Sequence, residues 1–316
     1  MTVLANDGIS NEGKSLLEAK GFQVLETKVA KEQLVNYINK TETTVLLVRS
    51  ATNVDRKIID DCPTLQIIGR GGVGLDNIAV DHARSKGIKV IHTPAASANA
   101  VAELVIAHLL NGVRFLADAN RNMPLEGDHN FKGLKKAYQM GRELSGKTLG
   151  IIGMGNAGQM VAKKAIALGM QVCFHDLKVE EQAINLGFYD GQSVTIALKG
   201  SPLKTVLTEA DFITLHVPAG SQHLIGKAEI ELLKSGAGIV NIARGGLLDE
   251  VALVDALDKG KVSFAGLDVF EAEPNPEIRI LMHPKISLSP HIGGSTLEAQ
   301  DRISIELATQ IIKLLA

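Results

Sequence analysis

Short apolar runs alternate with helix-like patterns through the first hundred residues of the chain. Runs typical of buried strands occur at residues 3–5, 22–25, 45–48, 65–69 and 89–91. Segments with apolar residues at helical spacing lie between them, at residues 13–19, 31–39, 56–61 and 78–86. Strands that alternate with helices in this way predict a parallel sheet covered by helices on both faces.

A second alternation of strands and helices begins at Thr148. Its strands are predicted at residues 149–152, 171–175, 212–215, 238–241, 264–267 and 286–288, and its helices at 156–168, 203–209, 227–233, 251–257 and 297–315. Residues 98 to about 119 have one long helical pattern, residues 120–145 are interpreted as an arm or loop, and 186–201 are predicted to be irregular. The predicted fold class is α/β, with two doubly wound parallel-sheet domains and the functional site in the cleft between them, at the carboxyl ends of the strands.

A glycine-rich turn joins the first strand of the second array to its first helix. Gly153, Gly155 and Gly158 have the Gly-x-Gly-x-x-Gly spacing, and Asn156 and Ala157 open the helix. The first glycine permits the tight turn, the second lets a pyrophosphate approach the backbone, and the third allows close packing of helix on strand. The free N–H groups of the helix N-terminus favour phosphate binding.

Asp176 ends the next predicted strand, about 20 residues after the glycines. A carboxylate here can accept a hydrogen bond from the ribose 2′-hydroxyl of NAD and would repel a 2′-phosphate. With strand, helix, second strand and acid all in place, the sequence predicts a Rossmann domain that binds NAD. Lys178, two residues further on, leaves NADP as a minor alternative.

Composition limits the classes of protein that need be considered. A length of 316 residues suggests two domains, and the formal net charge of −2 gives no general attraction to nucleic acid or membrane. Cys62 and Cys173 stand in unrelated contexts, as expected of reduced thiols. The N-terminal residues lack an export signal, so a cytoplasmic location is expected. No metal cofactor is predicted.

Three stretches that follow predicted strands offer groups for hydride and proton transfer. Arg244 lies in a glycine-rich loop, where its guanidinium could bind a carboxylate with two parallel hydrogen bonds. Asp268 and Glu273 precede a proline, and His291 lies between a proline and two glycines. In isolation, such an arginine is more often an ion-pair partner, and such a histidine more often structural. His216, before Pro218, could line the cofactor site.

The order of these motifs resembles that of the D-isomer-specific 2-hydroxyacid dehydrogenases. The resemblance extends over residues 45–300, and within the family it is strongest to the D-3-phosphoglycerate dehydrogenases of short form. The motifs that carry it are Gly153-Met-Gly-Asn-Ala-Gly158, Asn241-Ile-Ala-Arg-Gly-Gly246, Asp268-Val-Phe-Glu-Ala-Glu-Pro274 and Pro290-His-Ile-Gly-Gly-Ser-Thr296. The likeness to the phosphoglycerate dehydrogenases rests on Val48-Arg-Ser-Ala-Thr52 and Gly69-Arg-Gly-Gly-Val-Gly-Leu-Asp-Asn77.

The resemblance implies a role for each candidate residue. His291 would be the general acid–base, Glu273 would orient it and favour its imidazolium form, and Arg244 would bind the substrate carboxylate. The implied cofactor-binding residues are Gly153, Gly155, Asn156, Ala157, Gly158, Asp176, His216, Val217, Pro218, Ile242, Ala243, Arg244, Asp268, His291, Gly293 and Gly294. The implied substrate-binding residues are Arg49, Ser50, Arg70, Gly72, Val73, Gly74 and Lys136.

The expected reaction is NAD-dependent oxidation of 3-phospho-D-glycerate to 3-phosphohydroxypyruvate, in serine biosynthesis. A phosphorylated substrate is expected because a phosphate needs arginine or lysine partners, which Arg49 and Arg70 would provide. Val73 and a longer segment at 186–201 depart from the family pattern. The alternatives are a glyoxylate or hydroxypyruvate reductase, another D-2-hydroxyacid dehydrogenase, or an NAD(H)-sensing protein resembling corepressors.

The resemblance also implies the domain division and the assembly. The substrate-binding domain, of flavodoxin-like fold, is expected at residues 1–98 and 288–316, with the NAD-binding domain at 99–287. A homodimer is expected, joined through the long helix and the arm at residues 120–145.

Overall fold

The computed structural model describes residues 1–315, which divide into two compact units. The first unit comprises Met1–Ser97 together with the segment that starts at Gly294, and the second unit is Ala98–Gly293. The strands, in chain order, are β1 (Thr2–Ala5), β2 (Gln23–Leu25), β3 (Thr43–Val48), β4 (Ile67–Arg70), β5 (Lys89–His92), β6 (Thr148–Ile152), β7 (Gln171–His175), β8 (Glu181–Gly187), β9 (Ser193–Lys199), β10 (Phe212–Leu215), β11 (Ala237–Asn241), β12 (Val262–Leu267) and β13 (Ile286–Leu288).

The helices of both units are short to medium in length. In chain order they are α1 (Asn11–Glu18), α2 (Lys31–Lys40), α3 (Arg56–Asp61), α4 (Val80–Ser85), α5 (Ala98–Arg114), α6 (Leu116–Glu126), α7 (Phe131–Ala137), α8 (Asn156–Ala167), α9 (Leu203–Glu209), α10 (Lys227–Leu232), α11 (Glu250–Asp258), α12 (Ile278–Leu281) and α13 (Leu297–Leu315), with a short 3-10 helix at Gly245–Leu247. Among residues 1–315, no single helix has the length and apolar composition to span a membrane. The helices α5 and α6 pass that test only as a pair, bent by 56°.

The first unit is a five-stranded parallel sheet in the order β2-β1-β3-β4-β5. Buried strands with apolar side chains on both faces require helices on both sides, and each face has its own core. One core includes Ile303, Leu307 and Ile311 of α13, so the last helix completes the core on one face of a sheet whose strands lie in the first hundred residues. It packs closely on α1, where a Cβ on Gly13 would lie 2.6 Å from the Cβ of Ser304.

The second unit is a six-stranded parallel sheet in the order β13-β12-β11-β10-β6-β7. The strand order reverses between β6 and β10, and the carboxyl ends of strands at such a switch point form the ligand-binding edge of an open α/β sheet. The long α5 is buried against α8 and β12 rather than forming an exposed linker. The predicted architecture of two doubly wound parallel sheets is confirmed.

Three local features differ from the expectations drawn from the sequence. The helix predicted at 98–119 breaks at Phe115, which has a left-handed φ of 56°, and the chain continues as α6. The stretch 120–145 contains the end of α6 and all of α7, so it is partly helical. Residues 186–201 contain most of an antiparallel ribbon, β8–β9, whose strands pair from Glu181↔Lys199 to Gly187↔Ser193.

The C-terminal boundary between the units lies between Gly293 and Gly294, whereas the sequence suggested residue 288. The reason is that β13 pairs with β12, which includes the pair Leu267↔Leu288. The loop after β13 then folds back onto Asp268 of the same unit, so the chain leaves the second unit only after Gly293.

Candidate active site

The glycine-rich turn after β6 has the geometry that a dinucleotide requires. Gly153 has a φ of +100°, and a Cβ there would lie 2.5 Å from the carbonyl oxygen of His216. A Cβ on Gly158 would lie 2.1 Å from the carbonyl oxygen of Gly153, so α8 can approach the strand only with glycine at this position. Among the described residues, nothing lies within 4 Å of a Cβ built on Gly155. The N-terminus of α8, with Asn156 and Ala157 in its first turn, is therefore open to a phosphate.

Asp176 lies directly after β7, beside this turn. One carboxylate oxygen accepts from the backbone N–H of Met154 at 2.7 Å, and the other accepts from Lys178 at 2.7 Å and Val179 at 3.1 Å. Burial alone would raise the pKa of Asp176, but the three N–H donors together outweigh it and lower the pKa. The carboxylate is thus a fixed anion at the position where a ribose hydroxyl would donate.

His216, Val217 and Pro218 follow β10, at the same edge of the sheet. The His216 ring lies 3.0 Å, at Nε2, from the hydroxyl of Thr214. Burial lowers the pKa of His216 to about 4, so the ring is neutral at physiological pH. A neutral ring next to the glycine turn adds no charge to a turn that would hold a pyrophosphate.

Arg244 follows β11 in a loop that is stabilised by Asn241, the last residue of that strand. The Asn241 side chain donates to the carbonyl of Arg244 at 2.8 Å and accepts from the N–H of Ala243 at 3.1 Å. Gly245 brings this loop against the segment after β12, since a Cβ there would lie 1.9 Å from the carbonyl oxygen of Phe270. The loop that carries Arg244 and the loop that carries Glu273 are therefore in direct backbone contact.

His291 and Glu273 form a hydrogen-bonded pair, with 2.9 Å between Nδ1 and Oε2. The other oxygen of Glu273 accepts from the N–H of Phe270 at 2.9 Å, which fixes the carboxylate. With Nδ1 directed to Glu273, Nε2 is the ring nitrogen that can exchange a proton with a substrate. The pair borders a cavity of about 390 Å³ with apolar walls that include Phe270, Pro274 and Leu288.

Asp268 determines where His291 stands. Its side chain is 1% exposed; one oxygen accepts from Ile292 N–H at 2.8 Å and from the Ser289 hydroxyl at 2.6 Å, and the other accepts from Gly293 N–H at 2.8 Å. Its backbone carbonyl also accepts from the N–H of His291 at 2.8 Å. These contacts hold His291 at a left-handed φ of 55°, which a non-glycine residue adopts only when its surroundings enforce it.

The sequence did not indicate that His108 belongs to this network. Its buried ring bridges Ser287, 2.7 Å from Nδ1, and Ser289, 3.0 Å from Nε2, and Ser289 donates to Asp268. Burial lowers the pKa of His108, and the negative charge of Asp268 opposes the shift. A histidine within an apolar helix was the only available signal, and it is equally typical of a structural residue.

The other cofactor candidates lie in both units. Ile242 packs closely on Gly293, where a Cβ would lie 2.7 Å from its Cγ2, so these two candidates are neighbours in the second unit. Gly294 lies in the first unit, where a Cβ would be 3.2 Å from the Cβ of Ser97. Lys136 is exposed on α7, in the second unit.

The remaining substrate candidates meet at the carboxyl ends of β3 and β4 in the first unit. Val48 pairs with Arg70, so Arg49 and Arg70 emerge from adjacent strands. Both pack on the glycines between them: a Cβ on Gly71 would lie 3.5 Å from Arg49 Cγ, and one on Gly72 would lie 2.6 Å from an Arg70 guanidinium nitrogen. The glycine loop is thus flanked by two guanidinium groups.

Polar side chains hold the segment from Arg49 to Thr52, which lies next to the glycine loop. The Asp7 carboxylate accepts from the N–H groups of Arg49 at 2.7 Å and Thr52 at 3.0 Å, which spans Ser50. The Arg49 guanidinium also donates to the side chain of Gln300. Burial lowers the pKa of Arg49, and the charge of Asp7 counteracts it. Val73, which precedes Gly74, is 53% exposed, and its carbonyl oxygen lies 2.9 Å from Nδ1 of His92.

Comparison with known proteins agrees with this geometry. The family model for the D-isomer specific 2-hydroxyacid dehydrogenase, NAD binding domain, matches residues 106–293. A hydroxypyruvate reductase of Thermotoga maritima is 44% identical, with 98% of this chain and 97% of that protein covered. A D-3-phosphoglycerate dehydrogenase of Methanocaldococcus jannaschii is 39% identical over 99% of this chain, which spans only 57% of that protein.

Solved structures show the same fold along the whole chain. A protein of Thermus thermophilus has a TM-score of 0.85 at 29% identity, covering 100% of this chain and 97% of that one. A glyoxylate reductase from Paecilomyes thermophila has a TM-score of 0.81 at 29% identity, covering 99% and 94%.

The glycine turn, the fixed Asp176 and the His291–Glu273 pair are features of a nicotinamide-dependent oxidoreductase. More particularly, the chain belongs to the family of D-isomer-specific 2-hydroxyacid dehydrogenases. It is an NAD-dependent enzyme, as the sequence predicted.

Proposed function

We propose that the enzyme oxidises 3-phospho-D-glycerate to 3-phosphohydroxypyruvate, the first step of the phosphorylated route to serine. The observation that carries this proposal is the pair of arginines, Arg49 and Arg70, at adjacent strand ends on either side of one glycine loop. A phosphate group has nearly two negative charges at neutral pH and is best bound by guanidinium groups, which donate two parallel hydrogen bonds. The loop of Gly72, Val73 and Gly74 would then contact the substrate carboxylate; because the N–H of Gly72 donates to the carbonyl of Arg70 at 3.0 Å, the N–H groups of Val73 and Gly74 are the proposed donors.

The proposed chemistry uses the cofactor and four side chains. NAD, when bound, supplies the nicotinamide that accepts hydride from C2 of the hydroxyacid. Nε2 of His291 takes the hydroxyl proton, and Glu273 keeps the ring oriented through the 2.9 Å contact to Nδ1. Arg244 binds the substrate carboxylate and stabilises the negative charge that develops on the C2 oxygen. Asp268 holds the loop of His291 in place.

A second function, reduction of hydroxypyruvate, is favoured by a specific observation. The Thermotoga maritima relative, which bears that name, is 44% identical to this chain, whereas the phosphoglycerate dehydrogenases of Methanocaldococcus jannaschii and Archaeoglobus fulgidus are 39% and 38% identical. Hydroxypyruvate and 3-phosphohydroxypyruvate differ only by the phosphate. Which of the two functions the enzyme has therefore depends on whether Arg49 and Arg70 bind a phosphate.

The test compares the two oxoacids as substrates for NADH oxidation, by kcat/KM, in the wild type and in Arg49→Ala. Under the first proposal the phosphorylated acid is preferred, and Arg49→Ala loses roughly 10- to 150-fold in kcat/KM for it, the equivalent of one charged hydrogen bond. The variant leaves hydroxypyruvate nearly unaffected. Arg56→Ala, on the exposed surface of α3, is the matched control. A preference for hydroxypyruvate in the wild type would favour the second function.

The roles of the catalytic pair need a separate experiment. In His291→Asn, turnover of any 2-hydroxyacid should be lost, while NADH binding, measured by fluorescence titration, stays close to that of the wild type. Glu273→Gln should retain part of the turnover because the amide can still contact Nδ1. Equal loss of NADH binding in both variants would mean that the pair serves the cofactor rather than proton transfer.

We further propose a cytoplasmic homodimer. No residue of α6 is buried, and the surface near it exposes large apolar side chains, among them Leu125 at 71%, Phe131 at 58% and Met140 at 75%. Exposed apolar surface of this extent is typical of an interface. Light scattering should give twice the chain mass, and Leu125→Asp should shift it towards the monomer. Lys136, on the same segment, would then reach the partner's active site, so Lys136→Ala should raise KM without changing kcat.

A further inference from the structure

Three side chains of metal-binding type converge in the second unit, outside the residues proposed for catalysis. His223 lies in the loop between β10 and α10, Asp249 caps α11, and Glu271 lies in the loop after β12. One donor atom from each of the three lies within 4.8 Å of the other two. Nε2 of His223 is 3.1 Å from Oε1 of Glu271, and Nδ1 is 4.0 Å from Oδ2 of Asp249. One ring nitrogen and two carboxylate oxygens from residues distant in sequence thus lie within 4.8 Å of one another, and the two ring nitrogens of His223 face different carboxylates.

The carboxylates of Asp249 and Glu271 are held by hydrogen bonds from backbone N–H groups that leave part of their capacity to bind a metal unused. Asp249 uses Oδ1 to accept from the N–H of Ala252 at 2.9 Å, which leaves Oδ2 directed towards His223. Glu271 and Glu250 lock each other: the N–H of Glu250 donates to Glu271 Oε1 at 3.1 Å, and the N–H of Glu271 donates to Glu250 Oε1 at 2.9 Å. These contacts preorganise the two carboxylates, so binding a cation would order only the His223 side chain.

The charges at this point also favour a cation. Glu250, 4% exposed, lies beside the cluster, where its carboxyl group accepts from the N–H of Glu271 at 2.9 Å. The carboxyl groups of Asp249, Glu250 and Glu271 therefore lie close to the imidazole of His223. A divalent ion would lower the repulsion between the carboxylates directly.

We propose that His223, Asp249 and Glu271 bind a divalent transition-metal ion of the zinc class. Imidazole suits zinc, cobalt and nickel better than magnesium or calcium, which prefer oxygen ligands alone. Zinc bonds of about 2.0–2.2 Å require the donors to draw together, and the exposed imidazole provides that movement. Water completes the coordination shell at this open position.

The site would be structural rather than catalytic. Glu271 stands two residues before Glu273, in a loop that also contacts the Arg244 loop through Gly245. A metal ion would fasten this loop to the N-terminus of α11 and to the segment of His223. The expected consequence is a higher Tm of the protein with increasing zinc, because a ligand that binds only the native state stabilises it by mass action.

The experiment is a calorimetric titration of the chelator-treated full-length chain with ZnCl₂, with a thermal melt at each zinc concentration. We expect one zinc ion per chain for the wild type and an affinity at least roughly tenfold weaker in His223→Ala, since even the loss of an indirect partner of a metal ligand costs that much. His223 is the residue to change because, unlike Asp249 and Glu271, its side chain makes no hydrogen bond to the backbone within the described residues. The variant should therefore fold and bind NADH like the wild type.

Two further variants separate this site from other histidine–carboxylate pairs. His82→Ala removes the half-buried imidazole that lies 3.0 Å from Asp60, and His291→Asn removes the exposed imidazole that contacts Glu273. Both variants should retain the zinc ion and the zinc-dependent rise in Tm. Cobalt in place of zinc should give visible absorption bands that His223→Ala abolishes. Zinc binding that survives in His223→Ala, or no binding by the wild type, would overturn the proposal.

Discussion

The buried carboxylate of Asp268 holds the loop of His291, the proposed acid–base, in place. It accepts three hydrogen bonds, from Ile292, Gly293 and Ser289, with little exposure to solvent. Asp268→Asn keeps the shape of the side chain but replaces one acceptor oxygen by an NH₂ group. Whichever way the amide turns, at least one backbone N–H of the loop then faces another donor.

The cost can be estimated from these contacts. A hydrogen bond to a charged group contributes about 1.5–3 kcal/mol, and a buried donor left without an acceptor costs about 1–3 kcal/mol. We therefore expect Asp268→Asn to lower the free energy of unfolding of the second unit by roughly 2–4 kcal/mol. For a unit of this size, 1 kcal/mol corresponds to about 2–4 °C, so its Tm should fall by about 4–16 °C.

The assay is calorimetric melting at pH 7, combined with kcat. Asp255→Asn is the matched control, because Asp255 is an exposed acid of the same unit whose partner is Lys259. In Asp268→Asn the left-handed backbone at His291 loses the part of its support that the side chain provides, while the bond from its N–H to the carbonyl of residue 268 remains. We expect kcat to fall by up to roughly 100-fold, the cost of misplacing a reacting group by about 1 Å. If Asp268→Asn melted like Asp255→Asn with unchanged kcat, the loop would not depend on this carboxylate.

Three further outcomes follow from the glycine turn and from two buried titratable groups. Gly158→Ala should lower both Tm and NADH affinity, because its Cβ would lie 2.1 Å from the carbonyl oxygen of Gly153. Gly155→Ala should weaken NADH binding with little change in Tm. Melting curves and NADH titrations test both, and an equal loss of Tm in the two variants would contradict the prediction. The pKa of Glu250 is raised above its unfolded value of 4.5, so ionisation of its carboxyl group destabilises the folded protein increasingly as the pH rises above 4.5. The Tm of Glu250→Gln should therefore rise relative to that of the wild type as the pH increases from 4.5. A difference in Tm that stays constant with pH would contradict this. Burial lowers the pKa of His216 from 6.5 to about 4, so the neutral ring contributes stability that is present above pH 6.5 and is lost as the pH falls towards 4. Between pH 6.5 and pH 4 the free energy of unfolding of the wild type, measured by urea denaturation, should therefore fall by roughly 3 kcal/mol more than that of His216→Gln.

The sequence predicted most strands and the glycine turn because these depend on local patterns. Buried parallel strands are short apolar runs, and the residue after each run must lie at the carboxyl edge of its sheet. Arg49, Asp176 and Arg244 could therefore be assigned to that edge from the order of residues alone. Which of these edge residues touch one another depends on strand order, which no local pattern contains.

Two segments escaped prediction for different physical reasons. The ribbon β8–β9 has the signals of a hairpin, an Asp190-Gly191 turn between strands that alternate in burial, but few of its side chains are buried, so the apolar period is faint. Helix α6 buries nothing and contains Pro124, so the predicted helical pattern covered only its first residues, up to about 119. The hydrogen bonds of Asp268 join residues more than twenty positions apart, and only the folded loop reveals them.

Helix α13 has a consequence for synthesis on the ribosome. Its side chains form part of one core of the first unit, whose sheet strands all precede Ala98. At roughly 5–20 residues per second, the roughly 200 intervening residues of the second unit take about 10–40 s to synthesise. During that interval one face of the nascent sheet has α1 but lacks α13, while the second unit emerges as a contiguous segment. The unit whose synthesis begins first is therefore the one whose core is completed last.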